Sequence, residues 1–92
     1  MKTRDDVKTM LPNQLVSWFM MASYAYYKIG ERVMSDPTFD FLVERLKEVW
    51  EKADHPHKAL IKPGNLDSYT GFDIEYPTII HYATRDYIHE SR

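Results

Sequence analysis

Hydrophobic residues recur at helical spacing along the first third of the chain. Apolar side chains stand at position 15 and at three, four, seven, eleven and fourteen residues after it. They are Leu15, Trp18, Phe19, Ala22, Tyr26 and Ile29. This spacing places them on one stripe of a helix of about five turns. Gly30 follows directly, where a left-handed C-terminal cap is expected, so the helix is predicted to end there.

A second helix is predicted after a short connection. Ser35-Asp36-Pro37 combines side chains that cap helices with a proline suited to the first helical position. The apolar stripe that follows consists of Phe39, Leu42, Val43, Leu46, Val49 and Trp50. This helix is expected to extend to about Ala53, because Asp54-His55-Pro56 interrupts the pattern. A loop of about six to eight residues makes the two long helices antiparallel neighbours.

Shorter and less regular segments complete the predicted fold. Residues 3–10 form a helical turn that Thr3 caps. Residues 55–76 are predicted to be irregular, since prolines, glycines and turn-forming side chains interrupt them. The apolar residues expected to pin this segment onto the helices are Leu60, Ile61, Leu66, Tyr69, Phe72 and Ile74. A C-terminal helix opens at Pro77. The residues on one side of it are Ile79, Ile80, Ala83 and Tyr87. The chain is therefore predicted to be all-α, with residues 1–92 in a single helical domain.

Composition limits the classes of function. A hydrophobic content of 43% in 92 residues is that of a globular chain. The net charge of −2 gives no general attraction to nucleic acid or to anionic membranes. The chain has no cysteine, which excludes disulfides and thiolate chemistry and fits a reducing compartment. The longest apolar run, Trp18 to Ala22, is far too short to span a bilayer, and no signal-peptide pattern precedes it. We therefore expect a soluble, cytoplasmic protein that does not bind nucleic acid directly.

Two further groups of side chains have both a functional and a structural interpretation. His55 and His57 have a spacing that can chelate a metal, but neither cysteine nor a suitably spaced carboxylate completes a ligand set, so no metal site is predicted. Met20, Tyr24 and Tyr27 share a second face of the first long helix. Either another helix covers this face, or the face is an exposed patch for a ligand or partner.

The connection between the two long helices contains the most specific motif. Tyr26-Tyr27 is followed, nine residues after Tyr27, by Asp36-Pro-Thr-Phe39-Asp40-Phe-Leu42. This arrangement resembles the N-terminal helical subdomain of the bacterial NAD-dependent DNA ligases. That family has Tyr-His, a loop and Asp-x-x-Tyr-Asp-x-Leu on two antiparallel helices, with His-Pro just past the second helix. The loop length agrees without a gap, His55-Pro56 falls slightly late, and the resemblance covers about residues 15–60.

The resemblance implies a set of cofactor-binding residues. In those ligases the subdomain closes over the nicotinamide mononucleotide half of NAD during enzyme adenylation. By resemblance, Tyr26 contacts the nicotinamide ring, and Asp36 and Asp40 hydrogen-bond its amide or ribose. Tyr27 stands where the family has the histidine thought to reach the phosphate, and Phe39 stands where the family has tyrosine. The Lys-x-Asp-Gly motif of the adenylated lysine is absent, so no ligase activity and no catalysis are expected.

Each of these candidates also has a structural interpretation. Asp36 is assigned to helix capping before ligand contact, because a cap needs no partner. Asp40 lies in the first helical turn, where a negative charge favours the helix dipole. Tyr26 belongs to the apolar stripe and is therefore expected in the core; both roles are compatible if the edge of its ring borders a cleft at the helix end.

The preferred functional interpretation is a non-catalytic binding or adaptor module that acts through protein–protein interaction. The Met20/Tyr24/Tyr27 face or the final helix would meet an unidentified protein or a second copy of the chain. The alternative is a module that binds nicotinamide mononucleotide or NAD through Tyr26 and the two aspartates. A small freestanding copy of such a subdomain would suit a phage or mobile-element gene.

Overall fold

Two long helices form the centre of the fold in the computed structural model, which describes residues 1–90. α2 (Pro12–Tyr24) continues into a π-helical turn (Ala25–Ile29), and α3 (Asp36–Val49) ends in a 3₁₀ turn (Trp50–Lys52). The shorter elements are α1 (Arg4–Lys8), a 3₁₀ turn (Pro56–Leu60) and α4 (Pro63–Asp67), and the last helix is α5 (Thr78–Glu90). α2 packs against both α3 and α5, and α1 packs against α3.

The all-α prediction is confirmed. Over residues 1–90 the chain forms no β-strand, and its only extended pairing is an isolated bridge between Lys2 and Met34. Residues 91–92 of the predicted domain lie outside the described part of the chain.

Side-chain caps begin two of the helices. At α1, the Thr3 hydroxyl accepts the Asp6 N–H at 3.3 Å and the Asp6 carboxylate accepts the Thr3 N–H at 2.9 Å. This reciprocal pair confirms the predicted Thr3 cap, and its hydrogen bonds lower the pKa of Asp6. At α3, the Ser35 hydroxyl accepts the Thr38 N–H at 3.3 Å. The capping role expected of Asp36 is therefore wrong, because Asp36 is already the first helical residue.

The first long helix ends as predicted but not with the predicted geometry. Gly30 has φ +83°, the left-handed cap expected from the sequence. Its N–H donates to the Ala25 carbonyl at 2.8 Å, five residues back, so the last turn is wider than an α-turn. Beyond Ala25 the predicted stripe is only partly covered: Ile29 still packs against the core, whereas Tyr26 is 49% exposed. The expected place of Tyr26 in the core is therefore wrong.

α5 covers the second face of α2. Met20 is fully buried and Tyr24 is 4% exposed. The His81 ring stacks on the Tyr24 ring with centroids 4.5 Å apart, and Arg85 donates to the Tyr24 hydroxyl at 3.4 Å. The Met20/Tyr24/Tyr27 face is thus not an exposed patch, because only Tyr27 remains at the surface.

The segment predicted to be irregular contains a 3₁₀ turn and α4, and it packs onto the long helices. Asn65 is buried and fixes the segment locally: its Oδ1 accepts the Lys62 N–H at 2.9 Å and its Nδ2 donates to Asp73 at 2.6 Å. The Asn65 hydrogen bond, together with Lys62, lowers the pKa of Asp73.

Three of the six apolar residues expected to pin this segment are buried, namely Ile61, Leu66 and Ile74. Phe72 is 66% exposed and does not enter the core; it contacts the end of the first long helix through the Tyr27 ring. Ile79 is also exposed, contrary to prediction: it lies about 100° around α5 from Ile80, and only Ile80 is on the covered side.

Candidate functional site

A cleft of about 300 Å³ lies between the end of α2 and the beginning of α3. All five candidate residues line it, namely Tyr26, Tyr27, Asp36, Phe39 and Asp40. The wide turn supplies the two tyrosines, and the first turn of α3 supplies the other three side chains. The volume is at the lower end of the range for small-molecule sites. The structure therefore brings the candidate residues to one place.

Tyr26 offers the most accessible aromatic surface in the cleft. Its ring meets the Tyr27 ring edge-on, with centroids 4.9 Å apart and an interplanar angle of 88°. The guanidinium carbon of Arg32 lies 5.2 Å from the Tyr26 centroid. This distance is within the range of a cation–π contact, so the ring already interacts with a flat cation.

The two aspartates of the cleft are in different electrostatic situations. Asp36 forms an ion pair with Arg32, with 3.1 Å between Nε and Oδ1 and 3.5 Å between Nη2 and Oδ2. Asp40 is exposed and forms no hydrogen bond or ion pair with any described residue. Two carboxylates and one guanidinium line the cleft, so its net charge is −1. Such a lining favours a positively charged group beside Asp40.

Tyr27 is tied to the loop that follows α4. Its hydroxyl lies 2.6 Å from the Thr70 Oγ1, and this Oγ1 also accepts the Phe72 N–H at 3.2 Å. The Phe72 ring packs edge-on against the Tyr27 ring at 5.4 Å. The side chain at position 27 therefore holds the loop in place and has no charge to offer a phosphate.

Phe39 contributes an apolar wall. Its ring stacks on the buried Phe19 ring with centroids 5.6 Å apart and an interplanar angle of 19°. Because Phe39 packs into the core on this side, it fixes the orientation of α3 relative to α2. It offers no hydrogen bond to a ligand.

Sequence reasoning missed six lining residues of the cleft, and two of these, Arg32 and Tyr69, carry a charged or aromatic side chain. The sequence signal for Arg32 is only its charge opposite to that of the nearby Asp36, because Arg32 lies in the loop before α3, where the four-residue pairing rule of helices does not apply. Tyr69 has no comparable signal, because only the folded loop brings it to the cleft. Its φ of +56° is uncommon for a residue other than glycine, and the Lys47 ammonium lies 4.7 Å from its ring.

The histidines of the His55-Pro56-His57 segment have structural partners. His55 Nε2 lies 3.0 Å from the Ser17 hydroxyl, and His55 Nδ1 accepts the His57 N–H at 3.0 Å. Burial lowers the pKa of His55. In the described part of the chain, no group of three or more histidines and carboxylates is arranged to hold a metal ion. Between residues 1 and 90, every helix is also too short or too polar to cross a membrane.

No family model matches the chain, and comparisons with curated proteins and with solved structures likewise give no match. The resemblance to the ligase subdomain is not tested by these comparisons and stays a prediction. What the cleft binds must therefore be argued from its own side chains.

Proposed function

We propose that the protein is a non-catalytic module that binds nicotinamide mononucleotide, alone or as half of NAD, in this cleft. The observation that carries the proposal is the exposed ring of Tyr26 in the same cleft as the carboxylate of Asp40, which pairs with no residue between 1 and 90. A pyridinium ring is flat and cationic, so it gains a cation–π contact on tyrosine and charge attraction from the carboxylate. The amide group and the ribose hydroxyls of the nucleotide can donate hydrogen bonds to a carboxylate.

The same lining argues for binding without chemistry. Its functional side chains are tyrosines, two carboxylates and one arginine, and no described residue of the cleft forms a nucleophile–base pair. The missing Lys-x-Asp-Gly motif supports the same proposal. The module would therefore hold the nucleotide, and any reaction would require another protein.

A titration followed by two-dimensional NMR tests the proposal. Nicotinamide mononucleotide should shift the amide signals of the cleft residues saturably. Asp40→Asn should weaken binding about tenfold, at the low end of the range for a hydrogen bond to a charged group. Asp54→Asn is the matched control, because Asp54 is exposed and does not line the cleft. No shift at millimolar nucleotide, or equal weakening in both variants, would refute the proposal.

A second candidate function is protein–protein interaction through α5. Ile79 and Tyr82 lie one turn apart on this helix and are 63% and 66% exposed. The pair is an apolar patch that could meet an unidentified protein or a second copy of the chain. The burial of Met20 and Tyr24 removes the other surface considered for this role, and we therefore place nucleotide binding first. A strict monomer by light scattering, with no partner recovered by an α5-dependent pull-down, would count against the interaction.

A further inference from the structure

Arg32 occupies the part of the cleft that the nucleotide is proposed to use. It is the one positively charged residue among the described residues of the lining. Its guanidinium contacts both the Tyr26 ring and the Asp36 carboxylate, at 5.2 Å and 3.1 Å. A guanidinium is flat and carries a delocalised positive charge, as a pyridinium ring does. The free protein thus holds a cation of its own against Tyr26.

We propose that Arg32 is a displaceable occupant of the cleft that selects ligands carrying both a flat cationic ring and a phosphate. The incoming ring displaces the guanidinium from Tyr26, and the freed guanidinium pairs with the phosphate of the same ligand. This inference rests on the proposed function. It assigns to Arg32 the role of compensating the negative charge of the phosphate in the cleft.

Displacing the Arg32 guanidinium costs little free energy, because both of its contacts are exposed to solvent. The side chains of Arg32 and Asp36 are 49% and 74% exposed. An exposed ion pair and an exposed cation–π contact are each worth a factor of about two to five in an equilibrium constant. In addition, Nη1 of Arg32 forms no hydrogen bond with any described residue, so it is available as a donor to an anion.

The charges of the cleft require such a residue if the ligand carries a phosphate. Without Arg32, Asp36 and Asp40 would leave a net charge of −2 in the lining, which repels an anion. The hydroxyl of Tyr27 cannot replace it, because that hydroxyl is neutral and engaged with Thr70. Arg32 is therefore the group that can compensate a phosphate in the cleft.

The test compares two ligands that differ only in the phosphate, nicotinamide mononucleotide and nicotinamide riboside. Their dissociation constants are measured by NMR titration for the wild type and for Arg32→Met, with Arg32→Gln as a second variant. The wild type should bind the mononucleotide about two to five times more tightly than the riboside. Loss of the guanidinium should strengthen riboside binding about two- to fivefold, because nothing then has to be displaced from Tyr26. The preference for the mononucleotide should disappear or reverse.

A control and three outcomes make the result decisive. Lys52→Met removes the same charge from an exposed side chain outside the cleft and should leave both dissociation constants unchanged. If both ligands bind but the preference is the same with and without Arg32, only this inference is overturned. Weaker riboside binding in both Arg32 variants, with far-ultraviolet circular dichroism unchanged, would also overturn it. If neither ligand binds to the wild type or to either variant, the proposed function fails and the inference fails with it.

Discussion

Gly71 lies against α2 with no room for a side chain. A Cβ at this position would come within 2.6 Å of the Ser23 Oγ, 2.7 Å of the Ser23 Cβ and 3.0 Å of the Tyr76 hydroxyl oxygen. Unbonded carbon atoms rest at about 3.5–4.0 Å, so Gly71→Ala must push the loop away from α2 by roughly 1 Å. Since Ser23 also lines the cleft, the substitution tests how tightly the loop is held against the site.

The expected cost is about 2 kcal/mol, within the range of about 1–3 kcal/mol for overpacking. Ser23 is 2% exposed, and its Cβ cannot rotate away because it is fixed to the helix backbone. The Tyr76 hydroxyl donates to the Gly71 carbonyl, and this bond would be distorted as well. Burial raises the pKa of Tyr76, which keeps this hydroxyl protonated as a donor. At about 4–8 °C per kcal/mol for a domain of this size, Tm should fall by about 8–16 °C.

Urea and thermal unfolding by circular dichroism provide the assay, with two second-site variants. Ser23→Gly removes both close atoms, whereas Ser23→Ala removes the Oγ and keeps the Cβ at 2.7 Å. A double-mutant cycle should therefore show a coupling of about 1–2 kcal/mol between Gly71→Ala and Ser23→Gly, and clearly less with Ser23→Ala. If Gly71→Ala unfolds at the wild-type temperature, or if Ser23→Ala rescues as well as Ser23→Gly, the reasoning is wrong.

Two further predictions concern pH and helix capping. Because burial lowers the pKa of His55 below its ordinary value of 6.5, the unfolded chain binds the proton more readily. The free energy of unfolding should thus be constant above about pH 6.5 and fall as the pH drops through the lowered pKa that His55 has in the folded protein. Protonation of His55 Nδ1 also breaks the hydrogen bond that this atom accepts from the His57 N–H. Urea unfolding from pH 7.5 to 5 measures this slope, which His55→Gln should flatten; equal slopes in both proteins would contradict it. Ser35→Ala should cost about 1 kcal/mol, whereas Asp36→Ala, which removes only an exposed ion pair, should cost less. Thermal unfolding compares the stability lost in the two variants. A larger loss in Asp36→Ala than in Ser35→Ala would show that Asp36, and not Ser35, caps α3.

The boundaries of the helices were largely predictable because their signals are local. Thr3 and Asp6 form a capping box within four residues, and Gly30 needs only the left-handed region that glycine enters freely. Asp36 shows the limit of such signals, since Ser35 and Asp36 are both good caps and only the backbone geometry decides between them. The register of α3 was predictable, but the identity of its cap was not.

Long-range packing was harder to predict. The sequence shows that Met20 and Tyr24 form a second apolar face on α2 but not what covers them, because α5 lies more than fifty residues further along the chain. The same limit applies to Tyr69, which reaches the cleft only after its loop folds back onto α3. The short helices of residues 55–76 were missed because a single turn leaves no periodicity to detect.

The cleft itself was predicted through a resemblance, and one part of its geometry has no sequence signal. The regular apolar stripe predicts that Tyr26 is buried, whereas the structure leaves it 49% exposed. The wide turn is defined by the hydrogen bond from the Gly30 N–H to the Ala25 carbonyl. This bond joins two backbone groups, so no side chain in the sequence predicts it. That these five side chains lie together was therefore predictable from the chain, whereas their exposure was not.

The wide turn at the end of α2 bears on which substitutions the protein can tolerate. Whichever amino acid occupies position 26 is presented outward by the main chain, so its chemistry can vary while the interior stays intact. Evolution or an engineer could exchange this tyrosine for another ring, an aliphatic chain or a charge at little cost in folding, and under the proposed function the exchange would alter what the cleft binds.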